Sequence, residues 1–294
     1  MTTKLDVYQI ITDRILALLD KGVVPWHKPW STPDSGVGPT NFVSKRPYRG
    51  MNVFLLSCMG YGCPYWVSFK QAQELGGSVR KGERGTPVVF WQRLQSKKKD
   101  EDTDKPSSYM LLRYYTVFNL EQTDGIKWDK PEPKTSDFGT IAACERIVEE
   151  MPQRPAIRHR GTSAHYAPAS DTVTMPDRTA FDNESAYYST LFHELVHATG
   201  HQSRLNRKGI SLEVETNRMF GSKDYGREEL VAEMGAAFLC GASGILNTSI
   251  DGSASYIDGW IKKIKEDSKI VVMAAAQAQK AADFILGVKF DTEE

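Results

Sequence analysis

The sequence predicts two domains of mixed helix and strand, an α/β (α+β) chain, on three observations. Its 294 residues suit two domains of ordinary size. Stretches of helical and of strand periodicity alternate along it. A proline-bearing polar stretch, Pro131-Glu-Pro-Lys-Thr-Ser-Asp137, reads as a linker. The expected division is therefore 1–130, a linker at 131–138, and 139–294.

In the first domain, Thr2 or Thr3 can cap a helix to about Asp20, with Leu5, Tyr8, Ile11, Ile15 and Leu18 on one face. A break at Lys21–Trp30 leads into a Gly/Pro/Ser-rich loop to about Thr40. A short helix starts near Arg49, and Ser68 can cap another over Phe69–Leu75, closed by Gly76 and Gly77. Thr86–Gln92 and Tyr109–Asn119 read as strands around a charged loop at 96–108. In the second domain, a helix near 139–152 precedes short strands. One of them, Asp171-Thr-Val-Thr-Met-Pro176, could form the edge along which an extended peptide lies. Two helices follow, at Glu184–Gly200 and Gly226–Leu239, and a single long helix from about Ser255 to Leu286 closes the chain.

Composition excludes several classes. With 40% apolar and 25% charged residues the chain is globular rather than disordered. No apolar run approaches the roughly 20 residues that cross a membrane. The N-terminus has no secretory pattern, so a cytoplasmic protein with free thiols at Cys58, Cys63, Cys144 and Cys240 is expected. The zero net charge hides an asymmetry: residues 1–130 hold 19 Lys and Arg against 13 Asp and Glu, and the remainder is correspondingly acidic. A basic half next to an acidic one points to a polyanion partner for the first half only.

The chemistry concentrates in Leu191-Phe-His-Glu-Leu-Val-His-Ala-Thr-Gly-His201. His193 and His197 are four residues apart, one turn of helix, so both imidazoles face one metal ion. Glu194 lies beside the first ligand, where it can act as base on an attacking water. Asp182 or Asn183 can cap the helix, and Gly200 suits its end. A third His ten residues after the first is absent, since position 203 is Ser, and His201 lies off the metal face. The third ligand is therefore sought downstream. Glu229 and Glu233 share a face of the apolar helix around Leu230, Met234, Ala237 and Phe238, where carboxylates are costly unless partnered. Glu229 is the expected third ligand and Glu233 its rival, or the partner that orients a ligand histidine; Glu228 is expected on the solvated face. Tyr166, Tyr225, His165 and Arg227 are candidate oxyanion donors. Two His and one Glu suit Zn2+, with Mn2+ or another divalent metal possible.

The basic half also carries aromatics among cations. Trp26, Lys28, Trp30, Lys45, Arg46, Tyr48, Arg49, Lys70, Arg80, Lys81 and Arg84 are the candidate DNA contacts, with Trp66 and Phe69 among the neighbouring aromatics. Cations track phosphates while aromatic faces stack on unpaired bases, which predicts single-stranded DNA as partner.

Two sets of residues then resemble a known family. The stretch Trp66–Phe90, centred on Gly76-Gly-Ser-Val-Arg-Lys-Gly-Glu-Arg-Gly-Thr-Pro87, resembles the N-terminal domain of ArdC-type antirestriction proteins. His193–His201, Ser203-Arg-Leu-Asn-Arg207, Tyr225-Gly-Arg-Glu-Glu-Leu-Val-Ala-Glu233 and Gln279-Lys-Ala-Ala-Asp283 resemble the metallopeptidase domain paired with it. The resemblance implies an N-terminal α/β domain that binds single-stranded DNA and a C-terminal zincin-like domain of gluzincin type. It implies a plasmid- or phage-borne protein that protects incoming DNA from host restriction during conjugation. By the same match, His193, His197 and a Glu of Gly226–Glu233 are the metal ligands and Glu194 is the base. Two alternatives are an active protease that cleaves a host restriction or regulatory protein, and a structural metal site without proteolysis.

Overall fold

The computed structural model describes residues 6–27, 38–99, 106–129, 140–207, 210, 223–245 and 254–288. The proposed caps Thr2 and Thr3, the candidate contacts Lys28 and Trp30, and the linker lie outside these residues.

The first helix, α1 (Val7–Leu19), is capped by Asp6, whose carboxylate accepts the Tyr8 N–H at 3.0 Å. Ile11, Ile15 and Leu19, spaced by four, are buried. After a turn of 3-10 helix at Pro25–His27 comes β1 (Thr40–Asn41), then α2 (Met51–Ser57) and β2 (Tyr65–Ser68). Ser68 caps α3 (Phe69–Glu74), as the sequence led us to expect, and its own N–H donates in return to the Gln71 side chain.

β3 (Ser78–Val79) pairs antiparallel with the later β6 (Thr123–Asp124). Between them, β4 (Thr86–Lys99) and β5 (Pro106–Asn119) form a long hairpin. The strands run well into the stretch expected to be a charged loop. A backbone ladder needs no apolar side chains, so pairing continues to Gln95 opposite Ser108 and resumes at Lys99 opposite Pro106. The larger sheet is ordered β1-β2-β5-β4, with β1 parallel to β2 and the other pairs antiparallel.

The second half opens with α4 (Thr140–Glu149) and a three-stranded sheet of β7 (Ala156–His159), β8 (His165–Ala167) and β9 (Thr172–Met175). β9 lies in the middle, parallel to β7 and antiparallel to β8. All its residues are buried. It is therefore not the peptide-binding edge expected for 171–176, because both of its ladder edges are already paired.

α5 (Glu184–Thr199) and α6 (Lys223–Ser243) pack closely on each other. Gly235 permits the approach: a Cβ there would lie 2.7 and 2.8 Å from the Val196 methyls. The expected single C-terminal helix is two, α7 (Ala254–Glu266) and α8 (Ile270–Ile285). The break contains neither Gly nor Pro. Asp267 makes it by accepting the Lys269 N–H on its side chain at 3.0 Å, which competes with the helical ladder.

One apolar core joins the two halves. Ile11, Ile15, Trp26 and Phe54 pack in the same cluster as Leu195, Leu230, Met234 and Ala278. The Arg49–Asp283 ion pair and the Gly50 N–H to Gln279 bond at 2.9 Å add polar ties between α2 and α8. Beside them lies a cleft of about 730 Å³, walled by Met51, Val89, Trp91, Met110, Met273 and Ala276. Among the described residues no helix is long and apolar enough to cross a membrane.

Candidate metal centre

α5 places the histidines. Asn183 caps it through the Ala186 N–H at 2.9 Å, and Gly200 stands at its C-terminal end. The i, i+4 spacing brings the Nε2 atoms of His193 and His197 to 3.1 Å from each other. From α6, the two carboxylate oxygens of Glu229 each approach one of these nitrogens, Oε2 at 3.6 Å from His193 Nε2 and Oε1 at 3.6 Å from His197 Nε2. The three ligand atoms all fall within 4.8 Å of one another. A tetrahedral ion with bonds of about 2.0–2.1 Å holds its ligand atoms about 3.3 Å apart. The donor set thus fits one divalent cation.

The electrostatics are carboxylate-rich. Burial alone would lower the His197 pKa, but Glu228, Glu229 and Glu194 outweigh it and hold the ring above its ordinary value. Glu194 is buried next to His193 in sequence. His193 and Glu229 are partly exposed, their side chains 20% and 27% accessible, so the centre opens on one side to solvent.

Neither neighbouring glutamate keeps its expected role, and both are buried. Glu228 is not on a solvated face: it is buried, bound by both Arg207 Nε (3.0 Å) and Nη2 (2.6 Å), and lies 3.4 Å from His197 Nδ1. Burial would raise its pKa; Arg207 and His197 overcome that and lower it. Glu233, expected to orient a histidine, accepts instead from Trp26 Nε1 (2.8 Å) and from the Tyr256 hydroxyl. Burial pushes its carboxyl up to about 7 despite those bonds and the nearby His193.

Of the oxyanion candidates, Tyr166 donates its hydroxyl to Asp171 at 2.8 Å, so that group is already committed. Arg227 is paired with Asp267, and His165 is exposed on its strand. The side chain of Tyr225 is outside the described residues.

The DNA candidates separate. Trp26 is not a stacking platform: it is fully buried, because its indole N–H has the Glu233 carboxylate to satisfy it. Trp66 is buried as well. Arg49 is tied to Asp283, Arg80 to Glu83 and Asp124, and Lys70 to Glu74. Tyr48 is half-buried against Asn41. Lys45, whose ammonium sits 3.9 Å above the Phe42 ring, is exposed, as are Arg46, Lys81 and Arg84.

Sequence reasoning missed the exposed aromatics of the hairpin, Phe90, Trp91, Tyr109, Tyr114 and Tyr115. The available signal was the doublets Phe90-Trp91 and Tyr114-Tyr115, since adjacent strand residues face opposite sides and so send one aromatic to each face. Phe90 and Tyr115 stand edge to face at 5.7 Å, with Arg113 directly across the ladder from Phe90.

A helix with two histidines one turn apart, a facing glutamate and a small mixed sheet beside them define a zincin-like metallopeptidase domain, here sharing a core with an N-terminal α/β unit. Comparison with known proteins agrees: residues 142–277 match the zincin-like metallopeptidase family model, and residues 5–118 match the N-terminal domain of the anti-restriction factor ArdC. The chain belongs to the ArdC family.

It superposes with a TM-score of 0.73 on crystal structures of the antirestriction ArdC protein from the R388 plasmid. The metal-free form is 36% identical, covering 96% of this chain and 97% of that one. The Mn(II)-bound form is 35% identical, covering 98% and 100%. The protein y4eC of Sinorhizobium fredii (strain NBRC 101917 / NGR234) is 33% identical over 99% of this chain and 95% of its own length. Two DNA primase TraC proteins of Escherichia coli are 32% and 34% identical over 97% and 95% of this chain, which spans only 20% and 27% of their length. Fold and family together make the centre a divalent-metal site.

Proposed function

We propose that this chain is an antirestriction protein that binds single-stranded DNA in the cytoplasm and protects incoming plasmid DNA from host restriction during conjugation. The observation that carries the reading is likeness to an antirestriction protein over both halves at once. On this reading the functional division follows the expected 1–130 and 139–294, and Lys45, Arg46, Lys81 and Arg84 guide the phosphate backbone while the hairpin aromatics stack on bases.

The proposed ligands are His193, His197 and Glu229, and the proposed ion is Zn2+, with Mn2+ as a substitute. When bound, the ion supplies Lewis acidity to an attacking water. Glu194 takes the proton of that water and passes it to the leaving group. Three ligands and a partly open centre favour hydrolysis over a structural site, which would be closed by four. This supports a second reading, in which the chain cleaves a host restriction-system protein.

Two measurements decide. Full-length protein should bind a labelled oligo-dT, with affinity falling as salt rises; equal affinity for duplex would overturn the single-strand reading. In a conjugation assay into restricting recipients, Glu194→Ala should abolish protection if proteolysis is the mechanism. Full protection by Glu194→Ala and His193→Ala would leave DNA binding as the active function.

A further inference from the structure

We propose that Arg207 and Glu228 are positioning residues that set His197 as an Nε2 ligand before any metal arrives, and that Arg207 keeps Glu228 from becoming a ligand itself. The inference rests on the metal-centre reading above and deepens it.

Glu228 and Glu229 are adjacent on α6, yet they approach opposite nitrogens of one ring. Glu229 is 3.6 Å from His197 Nε2, while Glu228 is 3.4 Å from Nδ1. An ionised carboxylate only accepts hydrogen bonds. Among the described residues no other polar group partners Nδ1 and no hydrogen bond to it is formed, so the nearby carboxylate charge of Glu228 is what favours the tautomer with its proton on Nδ1 and leaves the Nε2 lone pair to face His193 and Glu229. Partners of this kind, on the far nitrogen of a ligand imidazole, fix its orientation and raise its basicity.

Arg207 explains why Glu228 holds this place. Its Nε and Nη2 clasp the carboxylate, at 3.0 and 2.6 Å. Nη1 donates to the Thr199 hydroxyl at 2.6 Å, and Nη2 also donates to the Val196 carbonyl at 2.7 Å. Val196 and Thr199 flank His197 on α5. The bonds thus form a circuit from α5 through Arg207 to Glu228, whose Oε1 then faces His197 Nδ1 at 3.4 Å without a hydrogen bond between them. Arg207 reaches the circuit because its backbone N–H is anchored on the Gly200 carbonyl at 2.9 Å. Gly200 leaves room for it, since a Cβ there would meet Ile210 at 2.5 Å and Arg207 Nη2 at 3.1 Å. Arg207 and Glu228 are 8% and 6% exposed. A buried ion pair is a weak source of net stability, so a positioning role accounts for it better than a stabilising one.

The test uses the full chain and Zn2+ as the probe. In metal-free wild type, ¹⁵N NMR of the imidazoles should find His197 protonated on Nδ1. The opposite tautomer would overturn the proposal, whatever the metal data show. Glu228→Gln keeps the volume and an acceptor for Arg207, but frees an amide N–H to face the ring. It should weaken Zn2+ binding about 10- to 100-fold, measured by competition with a chromophoric chelator, and shift the tautomer towards Nε2–H. An unchanged Zn2+ affinity and tautomer in a folded Glu228→Gln variant would overturn it. Arg207→Lys, which keeps the charge and loses the fork, should give an intermediate loss. If wild type and His193→Ala bind Zn2+ equally, the metal-centre reading itself fails, and the tautomer experiment still reports on the circuit.

Discussion

The indole N–H of Trp26 donates to the Glu233 carboxylate at 2.8 Å, across 207 residues of sequence. The bond ties the N-terminal segment to the helix that carries Glu229. Trp26 also packs edge to face against Phe54 and Trp260, at 6.5 and 6.1 Å. Trp26→Phe keeps an aromatic but removes the donor from a buried carboxylate. The expected cost is about 1–3 kcal/mol of stability, read by urea unfolding, with oligonucleotide affinity unchanged. Loss of DNA affinity at intact stability would restore Trp26 to the DNA surface.

This residue also marks a limit of sequence reading. A tryptophan among Pro, His and Lys looks the same whether it stacks on a base or meets a buried carboxylate. What decides is Glu233, which no local window contains. His193, Glu194 and His197 were legible because helical spacing alone brings them together, and the cap was narrowed to Asp182 or Asn183. Because an acid on an apolar helix needs a partner, Glu229 and Glu233 were offered alike, with Glu229 preferred as ligand. The different fates of Glu228 and Glu233 were not legible, since the first depends on Arg207 arriving from the turn after α5 and the second on Trp26 and Tyr256. The break at Asp267 was hidden for a similar reason, one side chain competing with the ladder in an otherwise helical run.

Gly235 sets the separation of the two metal-site helices. Gly235→Ala puts a methyl group against Val196 and should cost about 1–3 kcal/mol. It should also weaken Zn2+ binding, because Glu229 rides on the helix pushed away. Val196→Ala in the same chain removes the obstructing methyls, so the double variant should recover metal affinity. A double-mutant cycle with no coupling between the two sites would show that the contact does not set the helix spacing.

Metal retention should be lost in acid, and earlier than for an isolated histidine. Glu228, Glu229 and Glu194 hold the His197 pKa above its ordinary value, against the effect of burial. Protons therefore begin to compete for this ring at higher pH than they would in water. Metal affinity is full above that raised pKa and falls as pH drops through it. The apparent Zn2+ dissociation constant measured from pH 8 to pH 5 checks the sign. A constant flat down to the ordinary histidine range would refute the carboxylate effect.

The hairpin decides how the first half meets DNA. Val88 and Val117 are buried on the face that also presents Phe90, Tyr115 and Arg113 further along the strands. That face is thus core at one end and exposed at the other, an arrangement that holds two rings rigidly in reach of solvent. Stacking contributes about 1–3 kcal/mol per base. Phe90→Ala with Tyr115→Ala should therefore weaken oligo-dT binding by at least about tenfold, leaving the salt slope nearly unchanged because no cation is lost. Lys81→Ala with Arg84→Ala should do the reverse, flattening the salt slope by up to about two with a smaller loss at high salt. Anisotropy titrations at several salt concentrations separate the two contributions. If both double variants shift affinity and slope together, bases and phosphates are not read by separate sets of residues, and the stacking assignment falls.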